Sequence, residues 1–549
     1  MKHLLLLSAA VAAAMPQGHL RRQEGGIQWG ECPHDTLDQP VECATLHVPL
    51  DYTDEESEET VELALIKYKA PKGPSKGTIM LNFGGPGQDG LYSMLDYGQI
   101  QAPITGGEFD LVSWDPRGTG QTLRFQCFET EELGGQYLQD NPYQSSFHPG
   151  KLWAEATIMA NACGERLKDT GDLVGMAFAA RDMMQIVDAL GEDGMLRYWG
   201  ISGGTTLGAT AAALFPERID KMVLDGVMNS HEYYHLAGIL AAIDAAFENF
   251  VADCFKHPEK CPFSATCSSP EATLAAIADL MEKLKLEPIP AFPPNEEPVI
   301  IDYTTLNGVI VTSLYRPQRF QALALGLARL LQGDGTGFLA AFQSSNATEI
   351  PQQAQAVMGI RCGDKEPRVG SLEGLEGIRT AYEETSRWFP GFAMGQYVYA
   401  CAQWPFEAKE RYTGDFKVET KNPLLFIGNI WDPVTPLVSA KNMSTGFDGS
   451  VVLEQHSYGH TSLAAPSNCT EEAIAKYFAD GTLPEEGTVC EPNLAAFEDA
   501  EDLQAGDGSD DEGDGKPPDG GDDETGAVED ADEANDDEED SGETEEEQT

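Results

Sequence analysis

The sequence predicts an α/β fold in which eight strands form a mostly parallel sheet covered by helices. From about residue 42 onwards, short β-type runs alternate with helical patterns, an order that is typical of parallel α/β sheets. The middle runs are continuously apolar, as expected for strands that are covered on both faces. The eight runs are ATLHVPL, VELALIKYKA, GTIMLNFGG, FDLVSWDP, LRYWGIS, KMVLDGV, PLLFIGNIWD and SVVLEQHSYG.

A long insertion separates the sixth run from the seventh. About 195 residues lie between KMVLDGV and PLLFIGNIWD, which is far more than an ordinary connection needs. Helical patterns such as LAGILAAIDAAFENFVADCF and RFQALALGLARLLQG fill this interval. We therefore predict an inserted helical lid over the carboxyl edge of the sheet.

The negative charge is concentrated in the C-terminal tail. The chain of 549 residues carries a formal charge of −56, and residues 498–549 hold 26 of its 91 acidic residues against one lysine, Lys516. So acidic and apolar-poor a segment is predicted to be disordered. The rest keeps 34 basic and 65 acidic residues, and this excess of acid argues against nucleic acid or an anionic membrane as a partner.

The N-terminal segment MKHLLLLSAAVAAAMPQG has a basic start, a short apolar run and small residues at a cleavage position. This pattern predicts a cleaved secretory signal peptide. The run is too short to span a bilayer, which favours this interpretation. The alternative is a buried N-terminal helix. No later apolar run reaches about 18 residues, and the C-terminus has no hydrophobic tail for a glycolipid anchor. We therefore expect a secreted protein without a membrane anchor.

Eleven cysteines favour an oxidising compartment. When the others are paired with near neighbours in the sequence, Cys267 is left over, although it could compete for Cys261. No zinc site is expected, because the sequence has no C-x-x-C motif. Three sequons agree with secretion, at Asn346, Asn442 and Asn468. Clustering suggests five local bridges: Cys32–Cys43, Cys127–Cys163, Cys254–Cys261, Cys362–Cys401 and Cys469–Cys490.

Ser202 is the candidate nucleophile. It ends the strand run LRYWGIS and precedes the helical pattern GGTTLGATAAALFPERI, which is the strand–turn–helix context of a nucleophile elbow. Gly200 and Gly204 fit this turn, since side chains there would collide with the neighbouring strand and helix. The alternative is an incidental serine in a glycine-rich turn.

A nucleophilic serine needs a base and an orienting carboxylate. His460 lies in a glycine-containing loop after the last strand, and His456, on that strand, is the alternative base. Asp432 directly follows the seventh run, between a strand end and two prolines. The alternatives are that Asp432 only caps the next helix, or that Asp225 after the sixth run is the acid.

The oxyanion of the tetrahedral intermediate needs backbone donors. One is predicted to be the N–H of Gly203, directly after the serine. The other is expected from NFGGPGQDG after the third strand, at Gly85 or, as the alternative, Gly84. That segment lacks the lysine and spacing of a phosphate-binding loop. Asp115 and Arg117, in the neighbouring SWDPRGTGQT, are predicted to be structural.

These segments together resemble the secreted tripeptidyl aminopeptidase-like α/β-hydrolases, a branch related to proline iminopeptidases. The resemblance also includes CTEEAIAKYFADGTLPEEGTVC and covers about residues 40–260 and 355–492. It implies the α/β-hydrolase fold with a helical cap, and a serine hydrolase acting on peptides or amides from a free N-terminus. It places the catalytic serine, acid and base at Ser202, Asp432 and His460. Phe83 stands where this family usually has histidine, and Gly203 where tyrosine is frequent.

We therefore expect a secreted exopeptidase that needs no cofactor and cleaves short peptides or single residues from free N-termini. Phe83 and Gly84 are expected to line the substrate pocket, and Glu232 is a candidate for binding the cationic N-terminus. An esterase or amidase acting on a small secondary metabolite is the alternative, and a catalytically silent binding protein is a third. The predicted organisation is a signal peptide (1–18), the first part of the hydrolase core (19–232), the lid (233–395), the second part of the core (396–495) and the acidic tail (496–549).

Overall fold

The computed structural model describes residues 26–498, apart from 34–35, 37, 131–132, 135–148, 232–236, 295–296, 343–353, 366–367 and 391–397. The predicted signal peptide (1–18) lies outside the described residues, as does the predicted acidic tail (496–549) beyond residue 498. The strands, in chain order, are β1 (Val41–Pro49), β2 (Thr60–Tyr68), β3 (Thr78–Asn82), β4 (Asp110–Trp114), β5 (Leu196–Ile201), β6 (Ile219–Asp225), β7 (Ile289–Ala291), β8 (Val299–Ile301), β9 (Leu425–Trp431), β10 (Val451–Tyr458) and β11 (Val489–Cys490).

Nine of the described strands form one sheet in the order β1-β2-β4-β3-β5-β6-β9-β10-β11. The two pairs that include β2 are antiparallel, and all other pairs in this sheet are parallel. The central strands are buried on both faces, and every residue of β3 is buried, as the continuous apolar runs predict. The parallel strands therefore direct their carboxyl ends to one edge of the sheet.

The sheet has one strand more than the eight that the sequence predicts. All eight expected runs are present, and the ninth strand is β11, which pairs with Glu454 and Gln455 of β10. β11 contains only two residues, and its Cys490 is tied to Cys469 by a disulfide. Because a covalent bridge rather than an apolar run holds it in place, no pattern in the sequence indicates this strand.

The helices are α1 (Gly90–Ile104), α2 (Pro149–Arg166), α3 (Met176–Leu190), α4 (Gly203–Leu214), α5 (Ala237–Cys254), α6 (Pro270–Leu284), α7 (Tyr303–Leu314), α8 (Phe320–Leu331), α9 (Gly335–Ala340), α10 (Ala354–Asp364), α11 (Glu376–Thr385), α12 (Tyr399–Ala402), α13 (Leu437–Ser444) and α14 (Asn468–Asp480). α1 and α14 contribute to the apolar core on one face of the sheet. α2, α3, α4 and α13 contribute to the core on the other face. Sandwiching the sheet in this way is what its two apolar faces require.

The segment between β6 and β9 has two parts. Helices α5 to α9 and the small hairpin β7–β8 enclose an apolar core of their own, built around phenylalanines such as Phe247, Phe250 and Phe320. Helices α10 to α12 instead share the core of the sheet face that carries α2 and α3. The hairpin, which the sequence does not predict, has only three residues in each strand, too few for a period-2 pattern to stand out.

Five disulfides join Cys32 to Cys43, Cys127 to Cys163, Cys254 to Cys261, Cys362 to Cys401 and Cys469 to Cys490. These are the pairs that clustering in the sequence suggests, and Cys267 is the free, partly exposed cysteine. Of the sequons, Asn442 and Asn468 are exposed, and Asn346 lies outside the described residues. Within the described part of the chain, no helix combines the length and the apolar character needed to cross a membrane.

Candidate active site

Five neighbouring strands direct polar or glycine-rich segments to the carboxyl edge of the sheet. β3 leads into Phe83–Gly87, β5 into Ser202, β6 ends at Asp225, β9 leads into Asp432 and β10 into His460. These strands are consecutive in the sheet order β3-β5-β6-β9-β10. Ligands of parallel α/β sheets bind beyond this edge, so the topology brings the segments that the sequence singled out to one region.

Ser202 lies on a sharp turn between β5 and α4. Its φ of 54° and ψ of −120° are strained for a residue with a side chain, and such strain is typical of a nucleophile elbow. The Ser202 N–H donates to the carbonyl of Asp225 at 3.0 Å. A Cβ at Gly200 would lie 2.5 Å from the Gly204 carbonyl oxygen, so the turn excludes side chains at these flanking positions. Ser202 itself stays partly exposed.

Asp432 and His460 form a hydrogen-bonded pair. His460 Nδ1 lies 2.9 Å from Asp432 Oδ2 and 3.1 Å from Oδ1. The Asp432 carboxylate also accepts the N–H groups of Val434 and Thr435 at 2.9 and 2.8 Å, a local turn that aspartate favours. Thr435 Oγ1 donates to Oδ2 at 2.7 Å. The carboxylate is thus fully occupied and oriented towards the imidazole.

The environment of Asp432 favours its ionised form. Burial by itself would raise the pKa of this carboxyl, but the His460 ring and the donated hydrogen bonds outweigh burial and hold the pKa of Asp432 below its usual range. Asp225, the alternative acid, behaves in the opposite way. Burial raises the pKa of Asp225 to about 6 despite two hydrogen bonds from Ser462. The carboxylate that pairs with the His460 ring at this edge is therefore Asp432.

The loop that carries His460 is fastened from several sides. Asn429, buried on β9, donates to the carbonyls of Gly459 and Thr461 at 2.9 and 2.7 Å. Asp432 accepts the N–H of Thr461 at 3.0 Å. The His460 N–H donates to the carbonyl of Tyr315, just after α7, at 2.9 Å, and the Tyr315 ring meets the imidazole edge-to-face at 5.2 Å. The inserted segment therefore contributes directly to the position of the imidazole.

The glycine-rich segment after β3 packs against the elbow. Gly84 and Gly85 have φ values of +94° and +97°, which residues with side chains rarely adopt. A Cβ on Gly203 would lie 2.8 Å from the Gly85 carbonyl carbon, so the residue after Ser202 must also be small. This contact accounts for the glycine at position 203, where tyrosine is frequent in the family that the sequence resembles. A pocket lined by Gly84, Gly87, Gly203 and the α3 residue Met176 opens beside this segment.

The remaining predicted site residues occupy different environments. Phe83 is buried and stacks on Tyr97 with ring centroids 5.6 Å apart. His456, the alternative base, lies on β10 and pairs with Glu491 at 3.0 Å, away from Asp432's hydrogen bonds. Asp115 accepts N–H groups at the start of α1. Glu232 lies outside the described residues.

Arg117 is completely buried and bonded within the protein. Its guanidinium pairs with Asp182, with Nε at 2.6 Å from Oδ2, and donates to the carbonyls of Pro49 and Leu50. These contacts tie the loop after β4 to α3 and to the end of β1. Asp115 and Arg117 therefore hold the scaffold together.

Three residues at this site escaped the sequence interpretation. Thr435 could have been found, because a hydroxyl three residues after a strand-end aspartate is positioned to bond the carboxylate. Tyr315 and Arg361 belong to the inserted segment, and Arg361 Nη2 donates to the Gly85 carbonyl at 2.9 Å. Their approach to the site depends on how the insertion folds back, which no local pattern encodes.

Comparison with known protein families identifies both parts of the hydrolase core. The α/β hydrolase fold family model matches residues 78–268, the region that contains the glycine-rich segment and Ser202. The TAP-like protein family model matches residues 389–490, the region that contains Asp432 and His460. The two matches lie on either side of the segment that holds most of the inserted helices.

Relatives that carry functional names agree with these matches. Serine protease Hip1 from Mycobacterium tuberculosis is 25% identical over 84% of this chain and 91% of its own length. Tripeptidyl aminopeptidase from Streptomyces lividans is 32% identical, over 40% of this chain and 41% of its own length. Carboxylesterase B from Mycobacterium tuberculosis is 26% identical over 89% of this chain and 96% of its own length. The chain is therefore a serine hydrolase of the α/β-hydrolase fold, and its residues 389–490 are similar to the TAP-like protein family.

Proposed function

We propose that Ser202, His460 and Asp432 are the nucleophile, base and acid of a hydrolase that works through an acyl-enzyme. The observation that carries this proposal is the Asp432–His460 pair at 2.9 Å, which lies at the same sheet edge as a serine with φ of 54°. The order serine, acid, histidine along the chain is the one this fold uses.

Proton transfer follows from the orientation of the imidazole. When Nδ1–H donates to the ionised Asp432, Nε2 carries the free electron pair and takes the proton of the Ser202 hydroxyl as Oγ attacks the carbonyl. The imidazolium that forms is stabilised by the carboxylate, whose depressed pKa keeps it charged. His460 then returns the proton to the leaving amine or alcohol. Water repeats the sequence to release the acyl group from Ser202.

The N–H groups of Gly203 and Gly85 are proposed to stabilise the tetrahedral oxyanion. The contact between these two residues supports a common role, because donors for one oxygen must lie on adjacent segments. Glycine at both positions leaves the peptide groups unshielded. The N–H of Gly84, the alternative donor, already donates to Asn82 Oδ1 at 3.1 Å, which favours Gly85.

We propose that the substrates are peptides with a free N-terminus and that the enzyme is a secreted exopeptidase. The relatives named tripeptidyl aminopeptidase and serine protease support a peptide substrate. Five disulfides and the signal-peptide pattern in the sequence support secretion. Among the acidic side chains, Glu232 is kept as the candidate for the substrate ammonium group, because it follows β6 in the sequence.

An esterase is the second candidate function. Carboxylesterase B matches over nearly the whole of both chains, and the same triad cleaves esters and amides. The substrate of this candidate is a small ester or amide, such as a secondary metabolite.

A paired assay separates the two functions. Aminoacyl- and tripeptidyl-naphthylamides are compared with short-chain nitrophenyl esters, each with Ser202→Ala as the control. Turnover of the naphthylamides, with an unblocked N-terminus required, supports the exopeptidase. Turnover of the esters alone rejects the peptidase and supports the esterase.

A further inference from the structure

The glycine-rich segment after β3 has little means of fixing its own conformation. Gly84, Gly85 and Gly87 all have positive φ, between +94° and +99°, and glycine loses the most conformational freedom when it is ordered. Within the strand end, Asn82 Oδ1 accepts the Gly84 N–H at 3.1 Å. A rigid oxyanion site requires further contacts, because donors act only when they are held in place before the reaction.

Helix α10 of the inserted segment supplies these contacts through one face. Val357 and Arg361 are four residues apart and therefore lie on the same side of the helix. A Cβ at Gly87 would lie 2.6 Å from Val357 Cγ2 and 2.9 Å from the Val357 nitrogen, so the helix backbone touches the glycine-rich segment. One turn later, Arg361 Nη2 donates to the Gly85 carbonyl at 2.9 Å.

The carbonyl that Arg361 holds lies directly against the elbow. A Cβ on Gly203 would meet the Gly85 carbonyl oxygen at 2.9 Å, so Gly85 is wedged between Arg361 and the residue after Ser202. The hydrogen bond is charge-assisted, which makes it stronger than a bond between neutral groups.

We propose that Arg361 is a positioning residue: by holding the Gly85 carbonyl it fixes the conformation of Gly85, whose N–H is the proposed oxyanion donor, so that α10 completes the active site. This inference rests on the proposed role of Gly85 and Gly203. Arg361 acts through Gly85, whose carbonyl it holds. Loss of its hydrogen bond should raise the barrier for the tetrahedral intermediate while leaving the binding of the trigonal substrate unchanged.

The test compares Arg361→Met, which removes the charge and the donors, with Arg361→Lys, which keeps a cation. Arg329→Met on α8, an exposed position, is the control for removing a cation from the inserted segment. With whichever ester or amide the wild type cleaves, we expect kcat to fall about 10- to 100-fold in Arg361→Met, less than the roughly 10²- to 10³-fold loss known for removing an oxyanion donor itself, because Arg361 acts through Gly85. KM should stay within about threefold, Arg361→Lys should lie between, and the control should equal the wild type.

A boronic acid inhibitor provides a second readout, because its tetrahedral adduct with serine puts an oxygen in the oxyanion site. Its affinity should fall in parallel with kcat, whereas the affinity of the product acid should not change. A packing role alone would lower thermal stability without this selective loss. If Arg361→Met does not fold, Arg361→Lys decides, since parallel losses of kcat and boronate affinity support the proposal.

Three results would overturn the positioning role. The first is wild-type kcat and boronate affinity in both Arg361 variants, and the second is a rise in KM alone. The third is an equal loss of kcat in both variants that matches a drop in thermal stability. Ser202→Ala separates this failure from failure of the proposed function. If Ser202→Ala is inactive and Arg361→Met behaves as the wild type, only the positioning role is wrong. If Ser202→Ala keeps its activity, the proposed mechanism itself is wrong.

Discussion

At the scale of the residue, the account rests on how two buried carboxylates differ. Asp432 and Asp225 both follow strands at the same sheet edge, and both are almost inaccessible to solvent. Asp432 bonds His460 and has a lowered pKa, whereas Asp225 bonds Ser462 and has a pKa raised to about 6. The two side chains therefore have separate tasks, one orienting the imidazole and the other anchoring the loop that carries it.

Replacing Asp432 by asparagine should lower kcat by about 10³- to 10⁴-fold, the loss known for the corresponding change in a serine protease triad. An amide at this position turns the imidazole to the tautomer that cannot accept the Ser202 proton. The measurement is kcat under saturating substrate, with folding checked by circular dichroism. Asp225→Asn is the matched comparison, and a larger loss of kcat there would identify Asp225 as the acid.

At the scale of the element, α10 connects the glycine-rich segment with the start of α3. Its N-terminal half packs Val357 against Gly87. At its C-terminal end, the buried Asp364 accepts the N–H of Met176 at 3.1 Å. The disulfide from Cys362 to Cys401 joins the same helix to α12. One helix of the insertion thus contacts the glycine-rich segment, the start of α3 and α12.

Gly87→Ala should destabilise the protein more than Gly73→Ala. Both glycines have positive φ, so both alanines cost about 1–2 kcal/mol of backbone strain. Only the alanine at 87 would meet another residue, at 2.6 Å from Val357, whereas Gly73 has open space around it. Overpacking should add about 1–3 kcal/mol. Urea unfolding measures both variants, and equal losses would show that α10 does not press on this segment.

The buried carboxyl of Asp364 makes stability depend on pH. Burial raises its pKa to about 7, with Arg411 opposing the shift. Because the folded pKa lies above the unfolded value near 4, the stability contribution is complete below about pH 4 and is lost as the pH rises through about 7.

Between pH 5 and pH 8, the wild type should therefore lose unfolding free energy, by an amount on the order of 3 kcal/mol at most, that Asp364→Asn does not lose. Urea titrations at both pH values measure the difference. The exposed Asp448→Asn is the control and should keep the wild-type dependence. An unchanged pH dependence in Asp364→Asn would contradict the assignment.

At the scale of the whole molecule, the sequence predicts the sheet and its polar edge well. Buried parallel strands have continuous apolar runs in the sequence. The residues directly after these strands meet at one edge of the sheet, however long the segments between the strands are. This is why Ser202, Asp432 and His460 could be selected together. β11, Tyr315 and Arg361 could not, because their places depend on a disulfide or on how the inserted helices pack, and long-range packing leaves no local pattern.

The C-terminal end of the described chain contributes to the core of the inserted helices. Phe497 is buried and stacks on Phe250 with ring centroids 5.9 Å apart. Ending the chain after Phe497 should leave kcat/KM within about twofold, because the acidic remainder has too little apolar surface to build a packed site.

Ending the chain after Ala495 removes Phe497 as well and should cost about 3–5 kcal/mol of stability. Thermal unfolding and steady-state assays compare the two truncations. Equal melting temperatures would mean that Phe497 does not stabilise this core, and a large loss of kcat/KM in the longer chain would mean that the acidic tail takes part in activity.

The most direct test of the central claim is the site of covalent labelling by a fluorophosphonate. These reagents phosphonylate only a serine that is activated by a base. After labelling and proteolysis, mass spectrometry should find the adduct on Ser202, and Ser202→Ala and His460→Ala should remain unlabelled while Ser462→Ala is labelled at Ser202. An adduct on another serine, or labelling of Ser202→Ala at the wild-type rate, would contradict the account.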